Sequence, residues 1–347
     1  MISHTLLLLT SALEIGNAAR GPATEDSPVR IDLRAHNFYC SALEFSADSQ
    51  YVGVWWQHHE PGDDYAKTPG KAMAFDLTGR PIERATDATG RFTADFVKLF
   101  PAIAWHGAFP ELVKDAGAFG TSGVGFTRDY RLGFRVVNRG RGSTVIERIW
   151  QAQLLQLADR RKLLWAVDLP EGLPAMQFAD FYQRDGEGYV LAAFTGTAYV
   201  FSEKDGRVVD HFRYGKLLTD PSKEFTPSVF ALEPKYRLLA CGDSDGRRVR
   251  ILSLDRPRQI VFEANTDAWH VGRGGAWKIW DLRFRAEKYL IVGYGFAGRG
   301  TSETREPTEI LRIGDWARIC QDDYRGSIPQ TDISPDGKWL ATHRKRV

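Results

Sequence analysis

The chain has 347 residues, and its 46 Lys and Arg against 44 Asp and Glu leave a formal charge of +2, so no bulk basic field draws it to nucleic acid. With 43% hydrophobic and 26% charged residues it has a globular rather than a disordered composition, and ten Trp and twenty Phe supply core material. Three cysteines, Cys40, Cys241 and Cys320, are too few and too scattered for a disulfide framework or a four-ligand zinc site, and read as small buried residues.

At the N-terminus, Leu6-Leu7-Leu8-Leu9-Thr10-Ser11-Ala12-Leu13 has the length of a signal-peptide apolar region, and Gly16-Asn17-Ala18 resembles a small-residue cleavage site. No Lys or Arg precedes the run and Glu14 follows it, which favours a cytoplasmic location; export to the periplasm or envelope through a signal at about residues 1–18 is the alternative. Residues 1–28 are therefore set apart from the body of the chain. No other stretch approaches the ~18 apolar residues that a membrane span needs.

Residues 29–347 repeat one phrase: an apolar residue, a short polar turn, then a second apolar run. Its six copies begin at Phe45, Phe126, Phe181, Leu232, Phe284 and Ile333, spaced 81, 55, 51, 52 and 49 residues apart. A near-constant period of this length is what radially repeated four-stranded sheets produce. Each phrase reads as a tight hairpin, as in Ile333-Ser-Pro-Asp-Gly-Lys-Trp339. A further strand follows across a loop: Lys71–Leu77, Ile149–Leu155, Thr197–Phe201, Arg248–Leu252 and Glu309–Ile313. The first interval is longer because of residues 93–119, where Asp95–Phe100 and Phe109–Lys114 have helical spacing interrupted by Pro101 and Pro110. This insertion is expected to cap a blade.

The sixth copy stops at Val347 without an outer strand, and Val29-Arg30-Ile31-Asp32-Leu33 has the alternation to supply it. The expected fold is all-β, a single six-bladed β-propeller closed by pairing of its N- and C-terminal strands, with seven blades as the alternative. With the turn Ser334-Pro-Asp-Gly337, this arrangement resembles the WD-repeat and quinoprotein-like β-propellers over about residues 29–347. No blade ends in a Trp-Asp pair at the expected place; Trp280-Asp281 falls at the start of a hairpin instead.

Motifs for chemistry are sparse. Gly293-Tyr-Gly-Phe-Ala-Gly298 matches a dinucleotide fingerprint, but the following Arg299–Pro307 has no helical periodicity to present backbone N–H groups to a pyrophosphate. His58-His59-Glu60-Pro61-Gly62-Asp63-Asp64 gathers five potential ligands on one loop without the spacing of a defined metal site. Trp55, Trp56, Trp269, Trp277 and Trp280 read first as core residues. No catalytic residue, metal or cofactor is assigned.

The sharper inference is topological. Loops joining the third and fourth repeat strands leave a propeller on one face, and 57–70, 138–144 and 293–307 are long or glycine-rich. With the tail beside them, Arg139, Arg141, Arg299, Arg305, Arg344, Lys345 and Arg346 form a basic rim suited to an acidic protein segment or phosphate groups. The function expected is a non-catalytic scaffold for protein interactions. The alternatives are a cofactor-binding or enzymatic propeller and an exported envelope propeller.

Overall fold

Each of the six phrases is a hairpin in the computed structural model, which describes residues 3–10, 29–32, 38–58, 71–84, 93–100, 124–127, 131–138, 150–157, 162–171, 173–174, 176–216, 224–243, 248–255, 258–265, 277–296, 305–325 and 331–346. Five sheets use four consecutive strands each. The first holds β3 (Phe38–Phe45), β4 (Tyr51–His58), β5 (Lys71–Asp76) and β6 (Pro81–Arg84). The next holds β7 (Val124–Phe126), β8 (Leu132–Asn138), β9 (Trp150–Gln156) and β10 (Lys162–Asp168). A third runs from β11 (Met176–Arg184) and β12 (Glu187–Phe194) to β13 (Thr197–Ser202) and β14 (Val208–Arg213). The fourth comprises β15 (Val229–Glu233), β16 (Leu238–Asp243), β17 (Arg248–Ser253) and β18 (Ile260–Asn265). The fifth comprises β19 (Trp277–Arg285), β20 (Tyr289–Phe296), β21 (Arg305–Arg312) and β22 (Arg318–Arg325).

The architecture is all-β and of the β-propeller kind, with five blades of continuous chain where the sequence reading expects six or seven. The last hairpin, β23 (Thr331–Ile333) and β24 (Trp339–Arg346), has no strands after it and shares a composite sheet with β1 (Ser3–Thr10) and β2 (Val29–Asp32), in the order β2-β1-β24-β23. This corrects the expected pairing at the chain ends. The direct partner of β24 is β1, in register from Ser3 opposite Arg346 to Thr10 opposite Trp339, and Val29–Asp32 pairs on the far side of β1. An uninterrupted apolar run of this length suits a strand lying between two others as well as it suits a signal segment.

The chain divides into two compact units. One spans Met1–Ala108, Gly274–Trp277 and Arg283–Val347; the other spans Phe109–Arg273 and Lys278–Leu282. The second contains β7–β10, β11–β14 and β15–β18, and its middle sheet is buried on both faces. Val190, Ala192 and Phe194 of β12 pack toward Phe134, Val136, Ala152 and Leu154, whereas Tyr189, Leu191 and Ala193 pack toward Phe230, Leu232 and Leu239. A strand covered on both sides needs continuous apolar sequence, which explains Tyr-Val-Leu-Ala-Ala-Phe at 189–194. The outermost strand β14, Val-Val-Asp-His-Phe-Arg, is only partly covered and reverts to mixed polarity. Strand β7 runs so close to β11 that a Cβ on Gly125 would overlap the carbonyl of Ala179. Cys241 is buried and free, and burial pushes its thiol pKa well up.

In the first unit, the composite sheet is covered on two sides. Ala341 and Trp339 meet Leu43, Phe45, Val52 and Val54, and Ile333 and Leu340 meet Tyr289, Ile291 and Ile310. The first expected helix is present as α1 (Ala94–Leu99), whose N-cap Thr93 accepts the Phe96 N–H at 3.2 Å. It seats Phe96 and Phe100 on Ala72 and Ala74 of β5, with Trp55 packed alongside. Phe109–Lys114 lies outside the described residues.

The repeated phrase has a chemical basis. Ser46 Oγ accepts the Tyr51 N–H at 3.0 Å and donates to Asp48 at 2.6 Å. Ser334 Oγ repeats this with the Trp339 N–H at 2.9 Å and Asp336 at 2.6 Å, and Thr127 accepts the Leu132 N–H at 3.0 Å. The hydroxyl satisfies an amide that the reversing chain leaves unpaired, so Ser or Thr followed two residues later by Asp recurs between apolar residues. At 185–186 the job passes to Asp-Gly, whose φ of 54° and 81° are those of a two-residue hairpin turn.

Aspartates also fasten the turns between third and fourth strands. Asp76, Asp205 and Asp315 accept the N–H of Arg80, Arg207 and Ala317. Asp315 is further held by Arg312 at 2.5 and 3.1 Å, and this side-chain hydrogen bond is the largest cause lowering its pKa from 3.8 to about 2. Since the folded value is below the unfolded one, its stabilisation is complete above about pH 4 and is lost as pH falls through about 2. Asp315→Asn should therefore lower the urea midpoint at pH 6 and flatten the midpoint's decline between pH 4 and 2. An unchanged acid limb would assign that decline to other carboxylates.

Candidate binding cleft

The residues of the sequence-derived basic rim fall partly inside the described residues. Arg139, Arg141 and Arg299 lie outside the described residues. Arg305 is not in a loop but opens β21, opposite Arg325. Arg344, Lys345 and Arg346 are not a free tail but the end of β24, opposite Thr5, His4 and Ser3. The loops at 57–70, 138–144 and 293–307 connect second to third strands of their sheets, not third to fourth as expected. The difference arises because each hairpin phrase supplies the first and second strands of a sheet.

Of the other sequence candidates, Gly293 to Phe296 continue strand β20. His58 ends β4, with 59–64 outside the described residues. Among the described residues no three His, Cys, Asp or Glu cluster as metal ligands do. His211 stacks on Tyr199 with ring centroids 5.9 Å apart.

The second unit instead carries an open cleft of about 550 Å³ at the hairpin-turn ends of its three sheets. In an antiparallel sheet this end is opposite to the one bearing the loop after β8, so within this unit the cleft lies at the other end of the sheet from the 138–144 connection. Such a volume lies within the range of ligand sites, about 300–1,000 Å³. The β7–β8 hairpin contributes Thr127, Arg131 and Leu132. Phe181, Tyr182 and Gln183, at the end of β11, come from the middle sheet, together with Glu203 from the turn after β13. Pro234 and Lys235 come from the β15–β16 hairpin.

Three of the lining residues are held through their backbone groups. The carbonyl of Arg131 accepts the Leu157 N–H at 2.8 Å, fixing its turn against the end of β9. The Lys235 N–H donates to the buried Glu233 carboxylate at 3.1 Å, which sets the direction of that turn. Glu203 is placed three ways. Its N–H donates to the Gly188 carbonyl at 3.0 Å, and its carbonyl accepts the indole N–H of Trp165 at 2.7 Å. Its carboxylate rests on the bare backbone of Gly188, where any Cβ would overlap it.

Tyr182 stacks on Tyr189 with centroids 5.5 Å apart, Tyr189 donates to Glu187 at 2.6 Å, and Arg184 lies 5.0 Å from the Tyr189 ring centroid. Burial pushes the Tyr182 pKa up to about 12, so it is a neutral phenol at physiological pH. The lining thus includes Arg131, Glu203 and Lys235, whose ammonium lies 5.5 Å from the Tyr236 ring centroid, beside Phe181, while Tyr182 is buried on the opposite face of β11. None of these residues was a site candidate in the sequence. Their only signal was their place in the polar turns of three successive repeat copies.

No protein-family model matches the chain, and no curated protein matches it in sequence. Solved structures similar to it include the β-propeller domain of Cps50 (Swd1) from Myceliophteria thermophila, with a TM-score of 0.42 at 8% identity, over 88% of this chain and 98% of that one. The periplasmic gluconolactonase PpgL of Pseudomonas aeruginosa gives 0.44 at 13% identity, over 97% of this chain and 88% of that one. Hydrazine synthase of Kuenenia stuttgartiensis gives 0.43 at 12%, over 94% and 77%. The resemblance to WD-repeat and related β-propellers is one of general architecture.

Proposed function

We propose that this protein is a non-catalytic propeller module that docks a segment of another protein. The observation carrying this reading is the cleft, whose lining comes from three successive sheets and is braced by backbone hydrogen bonds, so that its polar groups are set before a partner arrives. The rim formed by Arg139, Arg141, Arg299, Arg305 and Arg344–Arg346 is a second, separate docking surface in this reading.

Capture of partners from a cell extract separates the two surfaces. Proteins retained by the wild type should be lost with R131E/K235E and kept with R139E/R141E. The reverse pattern would transfer docking to the rim. Retention of every partner by both variants would overturn docking through either surface.

A further inference from the structure

Every sheet of continuous chain carries the same irregularity in its outermost strand. The register between third and fourth strands steps over one residue of the fourth, at Ile82, Leu164, Val209, Val261 and Ile319. Such a β-bulge bends the strand and breaks the even spacing of backbone donors and acceptors along it. The large apolar side chains exposed among the described residues gather there too: Ile82, Leu163, Leu164, Val208 and Val261 stand at or beside a bulge, and only Tyr236 does not. An apolar outer strand is a surface on which another chain can add a strand, and a bulge blunts it.

We infer that these bulges keep the outer strands, β18 above all, from pairing edge to edge with a second copy of this chain. β18 is the last strand of its sheet, and among the described residues no strand pairs beyond it. The other outer strands have further protection. β6 holds Pro81, which has no N–H to offer, with Glu83 and Arg84; β10 has Lys162 and Asp168, β14 has Asp210 and Arg213, and β22 has Arg318 and Arg325. β18 reads Ile-Val-Phe-Glu-Ala-Asn, and its one charge, Glu263, is 6% exposed and turned inward to Arg250. Identical edges related by a two-fold axis can pair antiparallel, so a straightened β18 is complementary to itself.

The register makes Val261 removable. Ile260 stands opposite Leu252 and Phe262 opposite Ile251, so deleting Val261 leaves both pairs, and Glu263 opposite Arg250, where they are. The test compares the full chain with variants lacking Val261 or Ile82, by light scattering over a concentration series, with urea unfolding as the check on folding. The variant lacking Val261 should keep a cooperative urea transition and climb toward twice the wild-type mass as concentration rises. Adding Ala264→Lys, which sets like charges against each other across the new edge contact, should return it to the wild-type mass. The variant lacking Ile82 should stay at the wild-type mass, because Pro81 still guards β6. A wild-type mass for the folded variant lacking Val261, association that Ala264→Lys leaves in place, or equal association on losing Ile82 would each overturn the inference. If the variant lacking Val261 has no urea transition, one lacking Leu164 repeats the measurement on β10. Association there supports the role of the bulge; an unchanged mass, or loss of folding there too, assigns the bulges to the sheets' own folding and overturns it.

Discussion

Replacing Asp332 with alanine is expected to lower the unfolding free energy by about 1–3 kcal/mol, the cost of a buried donor left unsatisfied. Asp332 lies on β23 with its side chain 2% exposed. One carboxylate oxygen accepts the buried N–H of Phe45 at 2.9 Å, and the other pairs with Nε of Arg285. Phe45 ends β3 and Arg285 ends β19, so a single carboxylate joins three sheets of the first unit. The Arg285 side chain is partly exposed and can turn toward water when the carboxylate is lost. The Phe45 amide is buried, and an unsatisfied buried donor costs about 1–3 kcal/mol by itself. Asp332→Asn keeps an acceptor for that amide and loses only the charge, so it should cost about half as much. Urea unfolding at pH 7 reads both, as a fall in midpoint at unchanged slope. For a domain stable by about 5–15 kcal/mol this is a large fraction. A shift equivalent to less than about 1 kcal/mol for the alanine variant would show that the three sheets hold together without this link.

The hairpins were legible in the sequence because their chemistry is local. A hydroxyl at Ser46, Thr127 or Ser334 must cap an amide five residues away, and that requirement leaves the same residue pattern wherever it recurs. The third strands were legible as further β-rich runs after each of the first five hairpins, across loops of unequal length. What happens at the chain ends is not local. Leu6 to Leu9 satisfy the length of a signal segment and of a strand alike, and only the register with Leu340–His343 assigns them to a sheet. The buried charges Asp332 and Arg250 carry no signal in their neighbours, since their partners are 287 and 36 residues away. The cleft was least legible of all. Arg131 and Lys235 look like ordinary turn residues until packing makes their turns neighbours, whereas the arginines at 139, 141 and 299 are conspicuous in the sequence.

Arg250 should show the same dependence on pairing in the second unit, and there a double variant can separate charge from contact. Its side chain is fully buried on β17, and Nε and Nη2 hold Glu263 of β18 at 2.6 and 2.5 Å. The guanidinium also reaches out of the sheet: Nη1 donates to the carbonyl of Tyr214 at 2.5 Å, and Nη2, shared with Glu263, to that of Lys216 at 2.6 Å. Phe225 lies under the guanidinium, 4.3 Å from its carbon to the ring centroid. Arg250 therefore fastens the connection between β14 and β15, whose two limbs also meet through the Phe225 N–H and the Gly215 carbonyl at 2.9 Å. Arg250→Met should cost about 3–5 kcal/mol, because it strands the Glu263 carboxylate in a site from which water is largely excluded. Arg250→Lys should recover only part of this, since an ammonium cannot span a carboxylate and two carbonyls in one plane. Adding Glu263→Leu to Arg250→Met removes the stranded charge, and replacement of a whole buried pair by apolar groups is often neutral. Here it should stop short of neutrality by about 1–3 kcal/mol, the cost of carbonyls at Tyr214 and Lys216 left without donors. Urea midpoints for the wild type, Arg250→Met, Glu263→Leu and the double variant give the coupling between 250 and 263. A double variant as unstable as Arg250→Met would place the whole contribution of Arg250 in the two carbonyls and none in its charge.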